Sequence, residues 1–388
     1  MERITKFLEQ RRQNQLFRTL HPARQRKGGR IWFEGKEYID FSSNDYLGFS
    51  EHPFLKAASV AAIEKLGVGS CASRLLSGDL DLHHELEEKI AEFKGKEASL
   101  VFNSGYQANI GIISAICQRG DVIFADRLAH ASIIDGMLLS GAKLFRFNHN
   151  DIYHLEFLLE KERHKFKNSL IVTETIFSMD GDKAPLGELV ELKRKYSCKL
   201  MVDEAHATGI FGYGGTGLVE EENLAAKIDL IMGTFSKALG SFGAYLACSG
   251  EFKDYLVNTC RSFIYSTALP PAVIAANLAG LELVKREPQR RKSLIEQADF
   301  FRKKLEDLNF YVIGTSQIVP LVLGESKEAL KLSEELKKRG YWAMAIRPPT
   351  VPQGHARVRF SLTYHHTKEI LEKLISDIDE INNTHLKI

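Results

Sequence analysis

Seven short apolar runs recur between residues 98 and 250, and segments with helical spacing separate many of them. The runs read ASLVF, DVIFAD, AKLFRF, SLIVTE, KLMVDEAH, IDLIMG and GAYLAC. The segments YQANIGIISAICQRG and LGELVELKRKYSC are two of the helix-like stretches. Because the runs are apolar at nearly every position, they indicate strands that are buried on both faces. Alternation with helices predicts an α/β fold, in which helices wrap a mostly parallel sheet.

The patterns on either side of this region are different. Apolar residues at positions 4, 7, 8, 16, 17 and 20 predict an amphipathic N-terminal helix. From about residue 286, EPQRRKSLIEQADFFRKKLEDLNF reads as a long charged helix, and the strand-like stretches IVPLVLG and ARVRFSLTYHH follow. We expect an N-terminal helical segment over residues 1–45, a large domain over 46–285 and a smaller α+β domain over 286–388.

Composition excludes several classes of function. The 388 residues include 52 basic and 50 acidic side chains in mixed order, so a nucleic-acid-binding surface is not expected. The five cysteines lie far apart, without metal-ligand spacing, which indicates free thiols in a reducing compartment and no metal site. The N-terminus lacks a signal-peptide core, and the longest apolar stretch, 272–284, is too short to cross a bilayer. We expect a soluble, cytoplasmic protein that does not bind membranes.

Polar side chains follow three of the predicted strands. Since the carboxyl ends of parallel strands share one edge of a sheet, these side chains should meet in one crevice: Glu174, Ser178, Asp180, Asp203, His206, Thr234, Ser236 and Lys237. A lone lysine on a loop is usually a surface residue. Here small residues surround Lys237, and an aspartate, Asp203, ends the neighbouring strand. This pair predicts pyridoxal phosphate (PLP) bound to the lysine as a Schiff base.

Two other motifs suggest different functions, and both are weak. The letters DEAH at 203–206 also occur in helicases, but the chain has no phosphate loop of the form GxxxxGK[ST]. The stretch GYGGTG at 212–217 matches GxGxxG, but it does not lie between a strand and a helix. We interpret it as a glycine loop beside the site.

Eight motifs in order along the chain resemble those of the α-oxoamine synthases. They are SSNDYLG, SRLLSGD, NSGYQAN, DRLAHASIIDG, VTETIFSMDGD, VDEAHATGIFG, TFSKALGSFG and RPPTVPQGHARVRFS. The resemblance implies the fold of fold-type I PLP-dependent transferases, with a mostly parallel seven-stranded sheet. It also implies condensation of an amino acid with an acyl thioester and release of carbon dioxide, by a homodimer with active sites at the subunit interface.

Two stretches suggest a branch within this family. GSCASRLLSGD and AIRPPTVPQGHARVR resemble members that condense L-alanine with a pimeloyl thioester, on coenzyme A or acyl carrier protein, in biotin biosynthesis. Glycine-using members usually have threonine before the arginine of the first stretch, where this chain has Ser73. A glycine-using synthase is the alternative within the family. A non-catalytic partner subunit is the alternative outside catalysis, and the joint presence of Lys237, Asp203 and His130 argues against it.

The resemblance also assigns the residues that hold the cofactor. Lys237 would bind it covalently and move the Cα proton, Asp203 would pair with the pyridine nitrogen, and His130 would stack on the ring. His206 would hydrogen-bond the ring's phenolic oxygen. The other expected contacts are Ser178 near the cofactor, the phosphate ligands Gly105, Tyr106 and Thr234, and Ser266 and Thr267 at the phosphate of the other subunit.

Substrate contacts follow from the same resemblance. Arg347 would grip the amino-acid carboxylate, because a guanidinium pairs with a carboxylate through two hydrogen bonds. Asn44 and His130 would assist it, while Thr350 and Arg18 would line the acyl-thioester side. For Arg18, an ordinary arginine on a helix surface is an equal alternative.

Overall fold

The computed structural model describes residues 2–14 and 16–386. The segment before residue 95 contains one exposed helix, three short strands and two packed helices. The bounds are α1 Glu2–Gln13, β1 Gln25–Lys27, β2 Arg30–Phe33, β3 Lys36–Asp40, α2 Pro53–Leu66 and α3 Asp81–Lys94. No side chain of α1 is buried, whereas α2 packs along a later helix of the same chain.

A seven-stranded sheet occupies the centre of the molecule. Its strands are β4 Ala98–Phe102, β5 Val122–Asp126, β6 Lys143–Phe147, β7 Ser169–Glu174, β8 Lys199–Asp203, β9 Leu230–Thr234 and β10 Ala244–Cys248. The spatial order is β4-β10-β9-β8-β7-β5-β6, and only β10 pairs antiparallel with its neighbours. Every residue of β5, β7, β9 and β10 is buried, as apolar runs without alternation predict.

Helices cover both faces of this sheet, and several begin at a side chain that accepts a backbone N–H. Their bounds are α4 Gly105–Ile116, α5 Ala131–Ser140, α6 Ile152–Glu162, α7 Leu186–Lys195, α8 Leu218–Glu221, α9 Gly250–Thr259, α10 Arg261–Ile264 and α11 Pro271–Arg286, with a 3₁₀ turn at Arg163–Lys165. Ser104, His130 and Asp151 cap α4, α5 and α6. These caps fix the helix starts beside the carboxyl ends of the strands.

The last part of the chain combines three helices with short strands. Its elements are α12 Pro288–Asp307, β11 Ile318–Gly324, α13 Ser326–Lys338, β12 Tyr341–Trp342, β13 Ala345–Ile346, β14 Ala356–Ser361 and α14 Lys368–Ile381, followed by a π-helical turn at Asn382–Leu386. Strands β11, β14 and β13 form an antiparallel sheet, while β12 joins β3 in a four-stranded sheet. The two ends of the chain therefore share one sheet.

The predicted fold class is confirmed, but the N-terminal segment is only partly helical. The helix ends at Gln13, and β2 and β3 form a hairpin that the helical spacing did not predict. The hairpin turns at Glu34 and Gly35, which both have positive φ, as a two-residue turn of this kind requires. The proposed boundaries at residues 45 and 285 stay a prediction. Within the described residues, no helix is both long and apolar enough to span a bilayer.

Candidate active site

The carboxyl ends of the central strands bring together the predicted polar side chains. Asp203 ends β8, Thr234 ends β9, and Glu174 ends β7 directly opposite Asp203 in the parallel register. Lys237 follows β9 and lines a cavity of about 580 Å³ together with Asn44. The predicted convergence of an aspartate, a threonine and a lysine at this edge is therefore present.

Lys237 is half-buried on the loop that follows β9. Burial lowers the pKa of its amine, Asp203 and Glu174 act against this shift, and the nearby Arg359 guanidinium lowers the pKa further. Gly240 allows the loop to approach the body closely, because a Cβ there would lie 2.5 Å from backbone atoms of Phe49 and the next residue. The loop thus holds an amine that loses its proton more readily than an ordinary lysine.

Asp203 is buried and held in place by two donors. Asn109 Nδ2 donates to its Oδ2 over 2.9 Å, and the backbone N–H of Ala205 donates to its Oδ1 over 2.8 Å. The neighbouring Glu174 is 3% exposed, and its Oε1 has no partner among the described residues. Burial and the charge of Asp203 raise the pKa of Glu174 well above its usual range, which favours the neutral carboxyl. Asp203 therefore does not face a second full negative charge.

His130 caps α5, and part of the residue is exposed to solvent. Its Nδ1 accepts the backbone N–H of Ser132 over 3.3 Å and lies 2.7 Å from Ser132 Oγ. That hydroxyl also accepts Asn109 Nδ2 over 2.9 Å, so Ser132 and Asn109 link the imidazole to Asp203. Burial lowers the pKa of His130, Asp203 raises it and Lys237 lowers it. The net effect favours a neutral ring at the mouth of the site.

His206 is buried beside Tyr46, with its Nδ1 2.7 Å from the tyrosine hydroxyl. Burial lowers the pKa of His206 well below the usual range, and the positive charges of Lys237 and Arg359 add to the effect. Burial also raises the pKa of Tyr46, so both groups are neutral. The contact with Tyr46 fixes the orientation of the His206 ring. A fixed ring is suited to hydrogen-bond the phenolic oxygen of a cofactor.

The predicted phosphate ligands form one cradle. Gly105 and Tyr106 begin α4, where the first backbone N–H groups have no partner within the helix. A Cβ on Gly105 would lie 2.9 Å from Thr234 Cγ2, so the two residues are close neighbours. Thr234 Oγ1 is buried and has no partner among the described residues. A cradle of free donors at a helix N-terminus fits a phosphate group.

The remaining residues predicted near the cofactor lie close by. Ser178 is half-buried in the turn after β7, and its carbonyl oxygen accepts Arg359 Nε over 2.6 Å. Asn103 Nδ2 donates to Ser266 Oγ over 3.1 Å and to the carbonyl oxygen of Thr267 over 2.8 Å. Asn103 thus holds both residues next to the start of α4.

Arg347 lies in a second cavity, of about 320 Å³, that Arg18 and Thr350 also line. Arg18 donates to Thr350 Oγ1 over 3.3 Å. Burial lowers the pKa of Arg347, and the positive charges of Arg18 and Arg11 lower it further. The structure therefore groups Arg347 with the residues predicted for the acyl-thioester side, and groups Asn44 with Lys237.

Sequence reasoning missed Arg359, a buried arginine on β14. Its side chain donates to Ser361 Oγ over 2.7 Å and lies 3.4 Å from Asn44 Oδ1, and none of the described residues forms a salt bridge with it. A buried guanidinium without a carboxylate partner is costly unless an anion binds to it. The sequence signal was the pair of arginines in the strand-like stretch ARVRFS, and the structure shows that this strand is buried at every position.

Two motifs set aside above have structural roles. Glu204, from the letters DEAH, is buried and pairs with Lys94 over 2.7 Å. The same carboxylate crowds Gly217, where a Cβ would lie 2.3 Å from Glu204 Oε2. The buried pair thus holds the glycine loop against the body.

Comparison with known proteins identifies the family. A model described as aminotransferase class I and II matches residues 36–378. The chain belongs to this family. An 8-amino-7-oxononanoate synthase of Geobacter sulfurreducens is 49% identical over 377 residues, which cover 96% of each protein. One of Geotalea daltonii is 48% identical over 384 residues, 98% of each. These relatives confirm the predicted α-oxoamine synthase group and the predicted enzyme class, a PLP-dependent acyltransferase.

Solved structures agree with this assignment. A serine palmitoyltransferase of Sphingomonas wittichii has a TM-score of 0.91 and 30% identity over 98% of this chain and 96% of its own. One from S. paucimobilis with bound PLP has a TM-score of 0.93 and 29% identity over 99% of this chain and 98% of its own. An 8-amino-7-oxononanoate synthase of Francisella tularensis has a TM-score of 0.78 and 30% identity over 89% and 98%. The predicted fold-type I architecture and cofactor, PLP, are confirmed.

Proposed function

We propose that this enzyme condenses L-alanine with a pimeloyl thioester to give 8-amino-7-oxononanoate, carbon dioxide and the free thiol carrier, a step of biotin biosynthesis. The observation that carries the proposal is the half-buried Lys237 beside the buried Asp203, at the edge where the carboxyl ends of the parallel strands meet. The sequence similarity to 8-amino-7-oxononanoate synthases supports the choice among α-oxoamine synthases.

The residues around Lys237 suit PLP, and their roles are proposals. When bound, PLP supplies an electron sink for the electrons that the Cα proton and the carboxylate leave behind. Lys237 would form the covalent link, and its lowered pKa would keep its amine unprotonated and so able to accept the Cα proton. Asp203 would keep the pyridine nitrogen protonated, His130 would lie against the ring, and His206 would donate to the phenolic oxygen. Ser178 contacts the cofactor from the turn after β7.

The phosphate cradle contributes binding energy and orientation. Backbone N–H groups of Gly105 and Tyr106, together with the hydroxyl of Thr234, hold the phosphate of the cofactor bound in the same subunit. Ser266 and Thr267 reach the phosphate of the partner subunit in a cytoplasmic homodimer. This arrangement makes each active site depend on dimer formation.

Two arginines are candidates for the carboxylate of L-alanine. Arg347 is the sequence-based candidate, with Asn44 and His130 assisting. Arg359 is a second candidate, because its buried guanidinium has no salt-bridge partner among the described residues and its charge acts directly on Lys237. Arg18 and Thr350 line the side on which the acyl thioester enters.

Product analysis tests the proposal. Purified protein loaded with PLP is incubated with L-alanine and a pimeloyl thioester, and 8-amino-7-oxononanoate, carbon dioxide and free thiol are measured. We expect one of each per turnover, and a lower rate with glycine than with L-alanine. Higher turnover with glycine would instead support a glycine-using synthase. Parallel reactions with coenzyme A and acyl carrier protein thioesters identify the donor.

Borohydride reduction tests the site itself. Reduction converts the link between PLP and the lysine into a stable amine, so the labelled peptide should contain Lys237. Lys237→Ala serves as the control and should carry no label. A label on another lysine would contradict the proposed site, whatever the product.

A further inference from the structure

His149 bridges two carboxylates beside the candidate active site. Its Nδ1 lies 3.0 Å from Asp126 Oδ1, and its Nε2 lies 2.8 Å from Asp182 Oδ2. The ring stands edge-on to Phe177, with ring centroids 4.4 Å apart. None of the roles proposed above involves this histidine.

The geometry of the bridge determines its charge. An ionised carboxylate accepts hydrogen bonds and cannot donate them, so both ring nitrogens must carry hydrogen for both contacts to form. Burial lowers the pKa of His149, but the hydrogen bonds and charges of Asp126 and Asp182 outweigh it and raise the pKa to about 10. His149 is therefore an imidazolium that holds two anionic side chains together at neutral pH.

The Asp126 carboxylate holds the loop that leads to His130. Asp126 is the last residue of β5 and is fully buried. Its Oδ1 also accepts the backbone N–H of Leu128 over 2.7 Å, and its Oδ2 accepts that of Asn150 over 2.9 Å. Residues 127–129 connect Asp126 to His130, which caps α5. The Asp126 carboxylate thus fixes the short loop that presents the His130 ring.

The Asp182 carboxylate belongs to the turn that carries Ser178 and anchors it. Ile176 and Lys183 pair across this turn, and the backbone N–H of Phe177 donates to the carbonyl oxygen of Asp182 over 3.1 Å. Asn150 Nδ2 also donates to Asp182 Oδ2, over 2.8 Å. His149 and its neighbour therefore hold this turn from the side of β6.

We propose that His149 is a positioning residue, which locks the His130 loop and the Ser178 turn together so that both present their side chains to the cofactor. The inference rests on the proposed function, in which His130 and Ser178 contact PLP. His149 acts through a pair of charge-assisted hydrogen bonds, which are stronger and more directional than neutral ones. It does not touch the reacting atoms, so its removal disturbs the placement of the residues that do.

A double-mutant cycle tests this coupling. The parent, His130→Ala, His149→Phe and the double variant are prepared without cofactor, and the affinity of each for PLP is measured by fluorescence or absorbance titration. Phenylalanine fills the ring volume and removes both donors. We expect His149→Phe to weaken PLP binding about tenfold in the parent and threefold or less in the His130→Ala background, because residues that act as a unit are not additive.

A matched control lies in the first turn of α6, five positions after His149. His154 Nδ1 accepts the backbone N–H of Asn148 over 3.0 Å but does not join the two loops. His154→Gln should bind PLP within about twofold of the parent. If His149→Phe does not fold, His149→Gln, which retains one donor, should show a smaller loss that also shrinks in the His130→Ala background.

Two results would overturn the proposal. The first is that His149→Phe binds PLP as tightly as the parent does. The second is that His149→Phe lowers PLP affinity by the same factor in the parent and in the His130→Ala background, which would mean that His149 acts independently of His130. Because the titration uses no substrate, it remains readable even if the parent binds PLP and forms no 8-amino-7-oxononanoate. Failure of the proposed function is thus distinguishable from failure of this inference.

Discussion

Replacing Arg359 with alanine should specifically weaken the binding of L-alanine. Arg359 is 7% exposed, and Ser178 and Ser361 already hold its guanidinium in place through contacts of 2.6 and 2.7 Å. A substrate carboxylate would thus meet a fixed, desolvated cation. The lack of a salt-bridge partner among the described residues leaves the charge available for that carboxylate.

The expected magnitude follows from removing one member of a desolvated charge pair. Such a change costs about 2–5 kcal/mol. At about 1.4 kcal/mol for each factor of ten, the middle of this range is roughly a 100-fold to 300-fold loss of affinity. Arg359→Lys keeps the charge but not the planar pair of donors, so it should recover only part of the loss.

Spectral titration of the PLP-loaded variants with L-alanine measures the effect. Arg357→Ala is the matched control, because Arg357 is a buried arginine on the same strand that already pairs with Asp180 over 2.9 Å. It should lower stability but leave L-alanine affinity within about threefold of the parent, since its charge is already neutralised.

Arg347→Ala decides between the two candidates. If it weakens L-alanine binding by the full 2–5 kcal/mol while Arg359→Ala binds normally, the assignment from sequence stands and the reasoning from burial is refuted. If both variants bind L-alanine as the parent does, neither arginine holds the carboxylate.

Three further predictions concern the site and its support. Lys237→Ala should retain PLP noncovalently and lose turnover by about 10³-fold or more, measured by thiol release, because nucleophile and base disappear together. Asp203→Asn should bind PLP more weakly and lose turnover, and near-normal turnover would refute its role. His149 has a folded pKa of about 10, above the ordinary 6.5. Its contribution to stability should be complete below about pH 6.5 and lost as the pH rises through about 10. The difference in thermal midpoint between the parent and His149→Phe at pH 6, 8 and 10 measures this.

The central sheet could be predicted because most of its strands are buried on both faces, and only the edge strand β6 is largely exposed or half-buried. Burial of that kind leaves uninterrupted apolar runs, and all seven became strands. The hairpin of β2 and β3 gave no such signal, since RIWF and KEYID mix charged and apolar residues and contain no long apolar run. Its apolar face packs against Trp342, about 300 positions away in the chain, with ring centroids of Phe33 and Trp342 4.3 Å apart. Local pattern carries no information about such a distant partner.

The candidate site was predictable wherever a residue type and a strand end together imply its chemistry. Lys237, Asp203 and Thr234 belong to this group. Arg359 does not, because its importance comes from contacts with Asn44, 315 positions away, and from burial that only the folded chain reveals. The separation of Arg347 from the Lys237 cavity is likewise a property of tertiary packing.

The charge balance around Lys237 explains how two acidic residues can lie beside an amine that is proposed to act as nucleophile and base. Burial and the Arg359 guanidinium lower the pKa of Lys237, while Asp203 and Glu174 raise it. If both carboxyls were ionised, they would stabilise the ammonium form, which is neither a nucleophile nor a base. Burial and Asp203 instead raise the pKa of Glu174, which favours its neutral form and weakens its effect on Lys237, so Asp203 supplies the main negative charge. That charge lies where a pyridine nitrogen would need it, while the amine stays reactive.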